Sequence, residues 1–245
     1  MKLNKNMRLE LSSSSANADE IREFAKWILR IGNGDGGEVN DGDATFEFPD
    51  DMLIRNSSDP FLDLIEFVYP DLVTNLFTLE YFEGRAILAP TNEIVGFVND
   101  HFLSIITGEE KVYFSSDSMC KEELLSDVNA YIYSPEFLSG KHIGDMVFIP
   151  RMTLVPSNST LPIKFLQRQF PLIVSFAMTI NKSLGQTLSH VGLYLPRPVF
   201  SHRQLYVALS RVKSRSGITI LFDSKSGDRT NVTNNVVYKK VFQRI

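Results

Sequence analysis

The chain has 245 residues, 43% of them hydrophobic, with a formal net charge of −4, one cysteine and four histidines. That length suits one large domain or two ordinary ones with a buried core. Cys120 has no partner for an internal disulfide, the scattered histidines offer no metal-ligand spacing, and no apolar run approaches the ~18 residues of a membrane span.

In chain order, the opening MKLNKNMRLELSSSS lacks the apolar stretch of a secretory signal, so a reducing compartment is expected. ANADEIREFAKWILRIG (16–32) then reads as an amphipathic helix. Ile21, Phe24, Ala25, Ile28 and Leu29 recur at helical spacing, and Gly32 is expected to end it. Residues 32–59, rich in Gly and Asp, read as an acidic loop. PFLDLIEFVYPDL (60–72) is helical again. RAILAP (85–90) is a short buried strand and TNEIVGFVNDHFLSII (91–106) the helix after it, which makes one α/β unit. KVYFSS (111–116) and AYIYS (130–134) read as strands around a helical KEELLSDV (121–128), and HIGDMVFIPRMTLVP (142–156) is strand-rich. FPLIVSFAMTI (170–180), VGLYLP (191–196) and GITILF (217–222) read as buried strands, with a helix over SHRQLYVALSRV (201–212). Alternating strands and helices predict a mostly parallel sheet.

The small net charge hides a polarity. Residues 151–245 carry 14 Lys and Arg against Asp223 and Asp228 alone, whereas the first 150 residues carry 27 acidic and 11 basic groups. A basic part of this kind suits a polyanionic partner, a plain basic surface being the other reading.

Several motifs are decoys. GNGDGG (32–37) fits G-x-G-x-x-G, but a helix precedes it and an acidic stretch follows, the reverse of a dinucleotide fingerprint. SGKH (139–142) has no glycine five residues before Gly140 and no hydroxyl after Lys141, so it is not a P-loop, and the 245 residues contain none elsewhere. Two stretches carry more. FAMTINKSLGQTL (176–188) ends an apolar strand in Thr179, Asn181, Lys182, Gly185, Gln186 and Thr187, groups suited to phosphate oxygens. YVALSRV (206–212) places Arg211 beside Arg203, Lys213 and Arg215. A guanidinium there can reach a nucleotide phosphate, or simply lie on a basic helix surface.

AMTINKSLGQTLSHVGLYL followed by QLYVALSRVKSRSGITILF resembles the last two motifs of superfamily-one DNA helicases of the Pif (petite integration frequency) family. That family includes plant and Helitron-transposon relatives. LNKNMRL (3–9), AILAPTNEIVGFVN (86–99), VFIPRMTL and QRQFPL extend the resemblance over almost the whole chain. It implies an α/β RecA-like second helicase domain with a mostly parallel sheet and part of an inserted small β module. The implied divisions are 1–134, a remnant of the β module at 135–160, and 161–245 with the final motifs.

By the same resemblance Arg211 and Arg8 are catalytic γ-phosphate contacts. Gly185 and Gln186 adjoin the nucleotide. Thr91, Asn92, Thr179, Lys182 and Thr187 are candidates to hold single-stranded DNA. The intact enzyme would use ATP and Mg²⁺ to move 5′-to-3′ on DNA, in repair, recombination or telomere maintenance, in the nucleus and in some relatives the mitochondrion.

Three departures qualify the resemblance. The family's phosphate-cradling first RecA-like domain is not in these residues, so no ATP or Mg²⁺ binding is expected of the chain alone. A missing N-terminal domain becomes a candidate partner. Gly140 runs straight into Lys141 where relatives carry another strand and turn, and Leu184 stands where they usually have Gln. The alternative expectation is a non-enzymatic nucleic-acid-binding or partner-binding remnant.

Overall fold

A computed structural model describes residues 18–35, 43–55, 57–76, 78–106, 108, 112, 114–119, 131–134, 147–154, 165–222 and 231–238. The first half contains helix α1 (Ala18–Asn33), strand β1 (Asp43–Glu47), helices α2 (Pro60–Val68) and α3 (Leu72–Asn75), strand β2 (Arg85–Ala89) and helix α4 (Asn92–Ile105). Then come β3 (Ser116–Met119), β4 (Tyr131–Ser134), β5 (Val147–Pro150), β6 (Met152–Leu154) and β7 (Phe165–Gln169). The last part holds β8 (Ala177–Thr179), β9 (His190–Tyr194), helix α5 (Gln204–Leu209), β10 (Ile218–Leu221) and β11 (Val232–Val236).

The chain divides into two compact units. The larger, residues 1–76, 82–105 and 175–245, is built on a four-stranded sheet in the order β10-β9-β2-β8, parallel throughout. The expected parallel arrangement of these four apolar runs is therefore observed. Residues in β2, β9 and β10 are buried nearly without alternation, because helices cover both faces. On one face, Phe24, Ile28 and Ile31 of α1 join Leu205, Ala208 and Leu209 of α5 over Leu88, Val191, Leu193 and Ile220. On the other, α2 lies against β9 so closely that a Cβ on Gly192 would stand 2.8 Å from Val68 Cγ2 and 2.9 Å from Leu64 Cδ1. A second, two-stranded antiparallel sheet pairs β1 with β11 in the same unit.

The smaller unit, residues 77–81 and 106–174, contains the antiparallel order β3-β7-β6 and the separate pair β4-β5. Within it, Arg151 donates to the Phe114 carbonyl at 2.7 Å and lies 4.8 Å from the centre of the Phe170 ring.

Several boundaries differ from expectation for local reasons. α1 passes Gly32 and stops only at Gly34, which sits at φ 70°. Gly34 N–H donates to Ile31 O and Asp35 N–H to Arg30 O, the two bonds of a Schellman cap. The helix expected over 60–72 breaks after Val68, with Asp71 left-handed at φ 54° ahead of α3. Its start is as the sequence suggests, with the Asp59 side chain accepting from Leu62 N–H and Pro60 at the first turn. The acidic loop at 32–59 contains a strand, β1, because β11 gives Ala44 and Phe46 a partner at Asn235 and Thr233. Of FPLIVSFAMTI, only Ala177–Thr179 is strand. Pro171 has no N–H for a ladder, and Leu172 and Ile173 are exposed. β3 begins at Ser116, the last residue of KVYFSS. KEELLSDV, residues 36–42, SGKH at 139–142 and Arg8 lie outside the described residues.

Candidate nucleic-acid interface

Parallel strands deliver their loops to one edge, and here that edge collects the polar residues. Ala89 of β2 is the register partner of Thr179 of β8, so the chain leaves both strands side by side. From β2 it enters Pro90, Thr91 and Asn92. Thr91 caps α4, its hydroxyl accepting from Ile94 N–H at 3.4 Å and its carbonyl from Val95 N–H at 3.1 Å. Asn92 is exposed at the first turn.

From β8 the chain enters a 3₁₀ turn, Ile180–Ser183, and then a loop to Leu188. Ile180 and Ser183 are fully buried, the Ser183 hydroxyl donating to Ile180 O at 2.7 Å. This anchors the turn and leaves the intervening Lys182 exposed, with no ion pair among the described residues. Gly185 takes φ 88°, a left-handed turn that returns the chain to β9, and Gln186 N–H donates to Ser183 O at 3.1 Å. Leu184, Gly185, Gln186 and Thr187 are exposed, whereas Thr179 is buried at the strand end. Lys182 and Thr187 are thus exposed, whereas Thr179 is buried where β8 ends.

Arg211 is placed differently from a surface arginine: its relative exposure is 4%. Nε donates to Val207 O at 2.8 Å, one terminal nitrogen to Ser183 O at 3.0 Å and Gln186 O at 3.1 Å, and the other to Ser210 Oγ at 2.8 Å. At least four of its five N–H donors are therefore engaged within the chain. Its own carbonyl accepts from Leu188 N–H at 2.8 Å, and Leu188 and Val212 form a parallel bridge. The resemblance's two final motifs are thus one hydrogen-bonded structure. A nucleotide-contacting role for Arg211 requires the guanidinium to exchange these carbonyls for phosphate oxygens. Arg8 lies outside the described residues.

Gln204 was not among the expected site residues. It is 1% exposed at the start of α5, accepts from Phe200 and Ser201 N–H at 3.1 and 3.4 Å, and donates to Pro90 O at 3.3 Å. The signal was an amide on the helix face shared with Leu205 and Ala208, a position where a polar group must find buried partners. Among the described residues no three His, Cys, Asp or Glu side chains come together as metal ligands. No helix among them is long and apolar enough to cross a membrane.

No family model matches the chain. Among solved structures, the crystal structure of Pif1 helicase from Candida albicans superposes with a TM-score of 0.50 over 91% of this chain and 57% of that one, at 17% identity. At that identity the likeness speaks for the fold, which is the RecA-like α/β class. In sequence, the chain is 47% identical over 58 residues to the ATP-dependent DNA helicase PIF1 of Candida albicans, 24% of this chain and 6% of that protein. It is 38% identical over 85 residues to human PIF1, 35% of this chain and 12% of the relative. With PIF6 of Trypanosoma brucei brucei it shares 30% over 99 residues, 40% of this chain and 12% of the relative. Over these stretches the chain is similar to DNA helicases of the Pif family. The stretches in common are a small share of each relative's length.

Proposed function

We propose that this chain is the single-strand-gripping, second RecA-like part of a Pif-type DNA helicase. The observation that carries the reading is the Ala89–Thr179 register, which brings Thr91–Asn92 and the Thr179–Thr187 segment to one sheet edge. Backbone N–H groups, hydroxyls and the exposed Lys182 ammonium at such an edge suit DNA phosphates without reading bases. On this reading Lys182 and Thr187 are the outward contacts, Thr91 and Asn92 the neighbouring ones, and Thr179 sets the loop's departure. ATP-driven 5′-to-3′ movement in the nucleus is the activity of the intact enzyme.

On this reading the chain supplies one side of a nucleotide site, with Arg211 donating to backbone carbonyls as placed. Phosphate cradling and metal neutralisation supply nearly all catalysis of phosphoryl transfer, so on this reading ATP and Mg²⁺ are held by a partnering RecA-like domain, with Arg211, Arg8, Gly185 and Gln186 facing it. The engaged Arg211 and the 61%-exposed Leu184 also favour a second reading, a chain that binds nucleic acid without hydrolysing ATP.

The test is a titration of labelled single-stranded oligonucleotides across a salt series. Each phosphate contact contributes about −0.7 to the slope of log K against log salt, so Lys182 with two or three neighbours engaged gives roughly −2 to −3. Lys182→Ala is expected to weaken binding on every sequence alike and to remove about one contact from the slope. Salt-independent or strongly base-selective binding would count against the reading.

A further inference from the structure

α5 ends in two buried polar tethers, and each holds a different candidate DNA segment. At its start Gln204 donates to Pro90 O, the residue before Thr91 and Asn92. Just past its end Arg211 donates to Ser183 O and Gln186 O, on either side of the loop that follows Lys182. The six-residue helix between them is about 9 Å long and packs against both α1 and the 3₁₀ turn at 180–183. The hydrophobic core beside them is filled from the same helix by Leu205, Ala208 and Leu209. Both residues donate to backbone carbonyls in loops at the ends of the strands, and each is too buried to reach a ligand as placed.

We propose that Gln204 and Arg211 are positioning residues for single-strand binding: α5 is a strut that fixes the distance between the Thr91–Asn92 contact and the Lys182–Thr187 contact. This rests on the DNA-binding reading above. The phosphates of one strand repeat at a set spacing, so two contacts bind together only if the protein holds them in register; a loose pair gains far less from the second contact. Arg211 sets one end and Gln204 the other. Withdrawal of Arg211 toward a nucleotide would release the Lys182 end alone.

The test combines hydrogen exchange with double-mutant cycles on the 245-residue chain, using Arg211→Gln, Gln204→Leu and the milder Arg211→Lys and Gln204→Met. Exchange is read without DNA. Arg211→Gln is expected to speed exchange at Leu184, Gln186 and Leu188, and Gln204→Leu at Ile94, Val95 and Phe200, while β9 and β10 stay protected. In DNA binding, Arg211→Gln and Lys182→Ala should each cost about fivefold to tenfold, and the double variant no more than about twofold beyond either. Gln204→Leu should be non-additive with Asn92→Ala and also with Lys182→Ala, because the register matters only while both contacts are made. A purely structural role would instead expose the whole sheet to exchange and give additive losses in every pair, which overturns the proposal. Unchanged exchange in both segments also overturns it. If a buried substitution prevents folding, the milder variants carry the same cycles. If the unsubstituted chain binds no single strand, the DNA-binding reading fails, and the exchange pattern still decides whether the two tethers position their segments.

Discussion

Two glycines with equal room around them show how backbone conformation, and not side-chain space, governs the loop between β8 and β9. Gly185 and Gly96 both have nothing within 4 Å of a built Cβ, but Gly185 sits at φ 88° and Gly96 lies in the ordinary helical turn of α4. Gly185→Ala is therefore expected to cost about 1 kcal/mol, since an L side chain disfavours that region, and to weaken single-strand binding by displacing Lys182. Gly96→Ala should stabilise by about 0.5–1 kcal/mol through helix propensity and the unfolded chain. Denaturant titration of the two variants should show opposite shifts in midpoint with unchanged slope. Arg211 illustrates the same scale from the polar side. A guanidinium at 4% exposure is tolerable only because carbonyls and a hydroxyl replace its water.

At the scale of elements, α2 reaches β9 because Gly192 gives it room. Gly192→Ala places a methyl under 3 Å from the Val68 and Leu64 side chains, so a cost of about 1–3 kcal/mol is expected from overpacking. The same clash pushes α2 outward, and the Tyr69 hydroxyl that follows α2, 2.8 Å from Phe176 O, should lose its bond at the edge of β8. A calorimetric scan showing no loss of stability would mean the helix can shift freely, contrary to the packing. α1, α5 and β11 are tied in a comparable way. Arg203, left-handed at φ 58°, donates through Nε to Gly32 O at 3.0 Å and through its backbone N–H to Val236 O at 2.9 Å. Asn235 reaches Ile31 O at 2.8 Å.

For the whole molecule, the basic excess of residues 151–245 is partly spent inside the protein. Arg211 is buried, Arg203 holds a carbonyl, and Arg215 forms an ion pair with Asp51. Lys182 and Lys213 remain exposed without an ion pair among the described residues, so a salt slope of only a few contacts, well below the full charge, is expected. The purified chain is expected to show no DNA-stimulated ATP hydrolysis, because its 245 residues contain no phosphate-cradling loop. A steady-state phosphate-release assay above background, abolished in Arg211→Ala, would reveal a complete site.

Stability should also depend on pH in a defined direction. Burial, and then the neighbouring Arg85 and Arg203, hold His190 and His202 below the usual 6.5. The unfolded chain then takes up protons first, so stability is level above about pH 6.5 and falls as pH drops through that value. The loss includes the bond from Tyr238 N–H to His202 Nδ1 at 3.1 Å, which a protonated ring cannot accept. Asp51, lowered below 3.8 chiefly by its hydrogen bond from Arg215, adds stability that is present above 3.8 and lost only at lower pH. Thermal midpoints between pH 7.5 and 5.5 should fall, and His190→Gln with His202→Gln should flatten the profile.

The sequence by itself determined the four parallel strands, α4 and the motif segment, because a fully buried strand needs a continuous apolar run and a helix needs its own repeat. It also determined that polar groups at 179–187 follow a strand, which is enough to suggest phosphates. Only the tertiary structure decided that Asp43–Glu47 is a strand, since its partner lies at Val232–Val236, far along the chain. It alone decided where Arg211 and Gln204 point. Acceptors of Arg211 and Gln204 lie 28 and 114 residues away, and which distant carbonyl a buried donor meets is set by the packing of the elements, which no local spacing encodes.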